Sequence, residues 1–201
     1  MRAYHHFSVN RSEKHLLVAF AFLLIPLAGL FLFSLVSGVS FFVTVFDLLV
    51  SMWRLFVAFI FAVILAWLLV VLLIRGKMET PALAFFDVMQ SLPTFTILPL
   101  AMHYLGQSEK VIIAFLTITI IWPIVFSIVS AIKQVDRNWA DAVAMSRIRK
   151  MDYLRRYLFP LTAPGVITGA IIGLGDGWEA LIATEIILNV KTGLGTFFQG
   201  F

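Results

Sequence analysis

Three carboxylates, Asp176, Glu179 and Glu185, stand in a run that is otherwise apolar from Leu158 to Val190. In bilayer hydrocarbon a charged side chain costs roughly 3 kcal/mol or more, so it is kept where it faces a cavity, a proton path or a partner. Asp176 and Glu179 are three residues apart and share one face of a helix, while Glu185 points elsewhere at about 100° per residue. The spacing predicts that Asp176 and Glu179 line a pathway or meet another subunit. Glu185 fits either that role or hydration near the outer surface. Two carboxylates on one face also suit acid–base work on a lipid, so a membrane-embedded enzyme, or a channel, is the rival reading.

The remaining candidates for chemistry are few. With no cysteine in the chain, thiolate nucleophiles, thiolate metal sites and disulfides are excluded. His103 has no second ligand at metal spacing, and His5, His6 and His15 are scattered near the N-terminus. Neither His-Glu-x-x-His nor Gly-x-x-x-x-Gly-Lys-Ser/Thr occurs, so a zinc protease and a nucleotide-binding loop are not expected. No catalytic residue, metal or cofactor is assigned.

The one long polar stretch is Lys133–Tyr157, and it contains neither Gly nor Pro. Ala140, Val143, Ala144, Ile148, Met151, Leu154 and Leu158 recur at three-and-four spacing, with Arg147, Arg149, Lys150, Arg155 and Arg156 between them. That stripe predicts an amphipathic helix or a pair of short ones. A basic amphipathic helix either lies on the inner leaflet or docks on a cytoplasmic partner, and the pattern leaves both open.

The elements that must hold these groups are set by composition. Of 201 residues 61% are hydrophobic and only 13% charged, against about a quarter charged in a soluble domain. A spanning helix needs about 20 apolar residues, which predicts an all-α polytopic bundle of about five spans. They are Leu16–Val36, Leu55–Ile74, Pro81–Leu105, Val111–Ile132 and Leu158–Val190. The first exceeds the length of a signal-peptide core and is expected to stay uncleaved. Phe41–Val50 is too short to span and reads as an interfacial segment. Residues 1–50 are thus a tail, a first helix and that segment, and 51–201 the core. With the N-terminus in the cytoplasm, all of the 15 Lys and Arg except Arg54, Lys110 and Lys191 fall inside, as the positive-inside rule requires. The basic balance therefore needs no nucleic acid. Five spans leave Lys191–Phe201 outside, which predicts that a final span is missing. Gly165, Gly169, Gly173 and Gly177 repeat every four residues, a small-residue face that lets another helix approach closely.

Several motifs carry a resemblance. Asp141-Ala142-Val143, followed by Tyr-Leu-Phe-Pro ending at Pro160, resembles the EAA loop of binding-protein-dependent ABC permeases. Asp141 stands for the family Glu, Val143 for the second Ala, and Arg147 for a Gly that allows a tight turn. Ser51–Arg54 resembles the start of the first core span in the nitrate, sulfonate and taurine permease group. Ser91-Leu92-Pro93 with Leu98-Pro99-Leu100, the Leu105–Lys110 turn, and Gly173-Leu174-Gly175 with Trp178 and Glu185 are similar to further motifs of that group. The resemblance implies the type I importer fold and a subunit of the inner (cell) membrane that is no enzyme itself. It implies a second permease subunit, two cytoplasmic ATPase subunits and an extracytoplasmic binding protein. It assigns ATPase coupling to Ala140, Asp141, Ala142, Val143, Ala144, Arg147, Ile148 and Pro160, and a small anion such as nitrate, a sulfonate or taurine as substrate. Trp178 joins Asp176, Glu179 and Glu185 in the expected pathway or interface.

Overall fold

The computed structural model describes residues 24–25, 28–36, 38–73, 79–91, 94–135, 145 and 149–199. All the regular elements among them are helical. The chain forms two compact units, Met1–Leu49 and Val50–Phe201. In the first, residues 28–36 are helical, and the Ser34 hydroxyl donates to the Val39 carbonyl at 2.6 Å. Residues 16–23 and 26–27 of the expected span Leu16–Val36 lie outside the described residues.

Helix α1 runs from Phe41 to Leu73 without a break. Phe41–Val50 is therefore not the separate interfacial segment that its length suggested. It is the beginning of the same helix as the expected span Leu55–Ile74. At 1.5 Å per residue α1 is about 50 Å long, more than the roughly 30 Å of bilayer hydrocarbon.

Helices α2 (Glu79–Ser91) and α3 (Thr94–Leu105) divide the expected span Pro81–Leu105. Their axes are bent by 82°. Pro93 falls between them, and a proline both lacks an N–H and disfavours helix in the residue before it. Helix α4 covers Glu109–Lys133, and α5 covers Phe159–Ile187, as the hydropathy predicts. A π-helical turn, Tyr153–Leu158, leads into α5. Among the described residues three helices are long and apolar enough to span, or four if the bent pair α2–α3 counts as one.

The core of the second unit is built on α4, whose inward residues include Ile112, Leu116, Ile120, Ile124 and Ile128. Two faces of small residues let its neighbours come close. On α1, Ala58, Ala62 and Ala66 are completely buried, and the Thr117 hydroxyl of α4 reaches the Ala58 carbonyl at 3.4 Å. On α5 the four-residue glycine repeat meets the α4 backbone. A Cβ added at Gly169 would lie 2.5 Å from Ile124 Cα, and one at Gly165 would lie 2.6 Å from the Ser127 carbonyl oxygen. Such contacts supply the van der Waals attraction that holds helices together where the surroundings are as apolar as the side chains.

Candidate functional site

Both small-residue faces end on a charge. Continued in steps of four residues toward the same end of the bundle, the alanine stripe of α1 reaches Arg54 in one step and the glycine stripe of α5 reaches Glu185 in two, by way of Leu181. Both side chains are buried, at 3% and 0% exposure, and they meet. Arg54 Nη1 donates to Glu185 Oε1 at 2.7 Å and to the Thr192 carbonyl at 2.7 Å. Its Nε and Nη2 donate to the two carboxylate oxygens of Glu109, the first residue of α4. The Ser51 hydroxyl donates to Glu185 at 2.7 Å and accepts from the Leu194 N–H at 2.9 Å. Glu185 Oε2 takes the Gly195 N–H at 2.9 Å.

The guanidinium is thus held from both sides, and every buried polar side-chain atom among the described residues has a partner. A buried ion pair survives in low dielectric only when its remaining donors and acceptors are satisfied in this way. The segment after α5 is fitted to the pair. Gly193 has φ +124°, and a Cβ there would lie 2.6 Å from both Arg54 Nη1 and Glu185 Oε1. Glycine meets both demands, positive φ and no side chain.

A second polar feature lies on the flank of the same unit. Asp176 and Glu179, both exposed, line a cleft of about 330 Å³ with Gln90, Thr94, Phe95, Thr119, Trp122, Pro123 and Ala180. The walls come from α2, α3, α4 and α5. The Thr119 hydroxyl donates back to the Phe115 carbonyl at 3.1 Å. Phe95 packs against Phe115 with the rings tilted and their centroids 5.2 Å apart, and Trp122 packs near Phe86 at 6.0 Å. Carboxyl groups with hydroxyl, amide and ring neighbours can bind cations, hydrogen-bond donors or protons.

The structure separates the three carboxylates that the sequence grouped. Asp176 and Glu179 share the cleft. Glu185 is neither hydrated nor in the cleft; it lies about 9 Å beyond Glu179 along the helix, at 1.5 Å per residue, locked to Arg54 inside the chain. Trp178 is partly buried against the core, and the glycine repeat faces α4. Pro160 is exposed in the first turn of α5. Ala140, Asp141, Ala142, Val143, Ala144, Arg147 and Ile148 lie outside the described residues. At the near edge of that loop Asp152 and Arg156 pair at 3.3 Å, and the Tyr153 and Tyr157 rings stand 5.2 Å apart. Among the described residues no three His, Cys, Asp or Glu come together as metal ligands.

Comparison with known proteins adds a lineage to this geometry. Residues 74–200 match the family described as binding-protein-dependent transport system inner membrane component. A nitrate import permease protein of Synechocystis sp. is 31% identical over 148 residues, 73% of this chain and 54% of its own length. A bicarbonate transport system permease protein of Synechococcus elongatus is 27% identical over 56% of this chain and 40% of its own. A taurine transport system permease protein of Escherichia coli is 28% identical over 56% of this chain and 41% of its own. The chain spans about half the length of the curated relatives it matches.

Proposed function

Because the chain belongs to the inner-membrane component family of binding-protein-dependent transport systems, in the group of nitrate, sulfonate and taurine permeases, we propose that it carries a small solute across the membrane in an ATP-driven importer. One observation supports this best: inside the region that matches the family, the flank of a spanning helix opens into a cleft with two carboxylates. The cleft is read as part of the solute path. The clamp of Arg54, Glu185 and Glu109 is read as the brace that keeps α1, α4 and α5 together as the path opens. The names of the relatives suggest a small anion or zwitterion as solute.

ATP hydrolysis is assigned to cytoplasmic partners, and delivery to an extracytoplasmic binding protein. A second permease subunit completes the path. Coupling is assigned to Lys133–Tyr157, with Asp141 at the start of its first short helix, where a carboxylate suits free N–H groups and the positive dipole end. Asp141→Lys should abolish uptake and ATPase co-purification while the protein remains inserted, since the loop lies outside the bilayer. Wild-type uptake with full ATPase association in Asp141→Lys would reject the docking role and leave the basic helix as a membrane-surface anchor.

The proposed orientation puts the N-terminus and the Lys133–Tyr157 loop in the cytoplasm, following the charge bias. The chain has no cysteine of its own, so single replacements report cleanly. An impermeant thiol reagent added to intact cells should label Ser108→Cys and spare Arg149→Cys. The reverse pattern would invert the topology.

A further inference from the structure

The cleft on α5 carries charge that nothing else in the described membrane-spanning helices neutralises. Neither Asp176 nor Glu179 has a hydrogen bond or ion pair among the described residues. Arg54 is fully committed: Nε and Nη2 to Glu109, Nη1 to Glu185 and the Thr192 carbonyl. The other described basic side chains near these helices stand at their ends. Lys110 begins α4, Lys133 closes it, Arg155 and Arg156 precede α5, and Lys191 follows it. A second copy of the chain pressed against this flank brings the same inventory and doubles the carboxylates. Among the described residues, then, no cationic side chain pairs with the two carboxylates, and a positively charged ligand can take that place.

The rest of the lining is suited to an organic cation. Gln90, Thr94 and Thr119 offer oxygen acceptors, and Phe95 and Trp122 supply rings in the same wall. Carboxylates bind ammonium and guanidinium groups through charge-assisted hydrogen bonds, and aromatic faces attract the same groups electrostatically. Bare oxyanions find the opposite: two negative charges and no cation.

We propose that this cleft is a charge filter that takes a ligand bearing an ammonium or amidinium-type group and repels a simple anion. On the transport reading, from which the inference borrows only the ligand's status as a passing solute, the solute carries a positive group. That separates this chain from a carrier of nitrate or bicarbonate alone, and is compatible with a zwitterion.

The field of the cleft can be read without knowing the solute. Thr119→Cys places a thiol in the lining, in a chain that has no other cysteine. Gln90→Cys, on α2, serves if that variant does not fold. Each is treated with a cationic trimethylammonium-ethyl thiosulfonate and with its anionic sulfonato-ethyl analogue. Rates are expressed relative to a small free thiol. A negative cleft should favour the cationic reagent by about tenfold or more, the size of effect that a charged, low-dielectric cleft exerts on association rates. Asp176→Asn with Glu179→Gln should erase the preference. A ratio equal to that of the free thiol, or one unchanged by the paired substitution, overturns the proposal, because the carboxylates then stand protonated or do not govern the cleft. The readout needs no ATPase, so a failure of the transport reading registers separately, in the Asp141→Lys experiment.

Discussion

Arg54→Ala is expected to cost roughly 3–5 kcal/mol, the usual loss when one partner of a buried ion pair is removed. The reason lies in what remains. Glu185 has 0% exposure, and without Arg54 its carboxylate keeps only the Ser51 hydroxyl and the Gly195 N–H. The Thr192 carbonyl loses its donor as well. Glu185→Ala should cost less, because Arg54 stays paired with both oxygens of Glu109. Glu109→Ala should cost least, about 1 kcal/mol or less, since that side chain is 60% exposed and exposed pairs contribute little. The double variant Arg54→Ala/Glu185→Gln should recover much of the loss of Arg54→Ala, because a neutral amide can still accept from Ser51 and Gly195. Unfolding of the purified protein in mixed detergent micelles, followed as a function of denaturing detergent, gives the ranking. Equal losses for Arg54→Ala and Glu109→Ala would show that the pair with Glu185 does not hold the fold.

The glycine face should show the second large effect, and alanine is enough to reveal it. At Gly169 the added methyl would sit 2.5 Å from Ile124 Cα and 2.7 Å from the Pro123 carbonyl oxygen. Both are backbone atoms, so the helices must separate. Overpacking of this kind costs about 1–3 kcal/mol for a modest insertion, and Gly169→Leu should exceed that range and prevent assembly. Gly177→Ala should be milder, because its nearest contacts are the flexible ends of Ile120 and Leu55. Gly175 meets nothing within 4 Å, so Gly175→Ala should be neutral or stabilising by up to about 1 kcal/mol through helix propensity. Melting of the four variants in one detergent tests the order. A Gly169→Ala protein as stable as Gly175→Ala would place the glycine face away from α4.

Hydropathy and spacing located α4, α5 and the glycine face because each depends on an unbroken local pattern. They failed at Phe41–Val50, where Asp47, Ser51 and Arg54 interrupt the apolar run. A hydropathy window counts those residues against a helix. The fold does not, because Ser51 and Arg54 find their partners inside it. The bend between α2 and α3 was readable only as a proline in a span, since proline frees a carbonyl without specifying an angle. Glu185 is the instructive case. Its partner is 131 residues away, a distance that periodicity cannot cross. Yet it is the last member of the four-residue stripe that begins at Gly165, and Arg54 extends the corresponding stripe through Ala58, Ala62 and Ala66. Extending each stripe to its end would have placed both charges at helix contacts, though not against each other. Asp176 and Glu179 could be put on one face from sequence, but the cleft they share needs walls from three other helices.

The two-sided hold on Arg54 also has a consequence for biosynthesis. The ribosome delivers Arg54 first, Glu109 55 residues later and Glu185 131 residues after Arg54. At roughly 5–20 residues per second, several seconds separate the two acids. During that interval the arginine already has a water-accessible carboxylate at the head of α4 to pair with. The nascent chain therefore need not hold a bare cation at the bilayer while it waits for α5, and Glu185 arrives to find Nη1 still free to receive it.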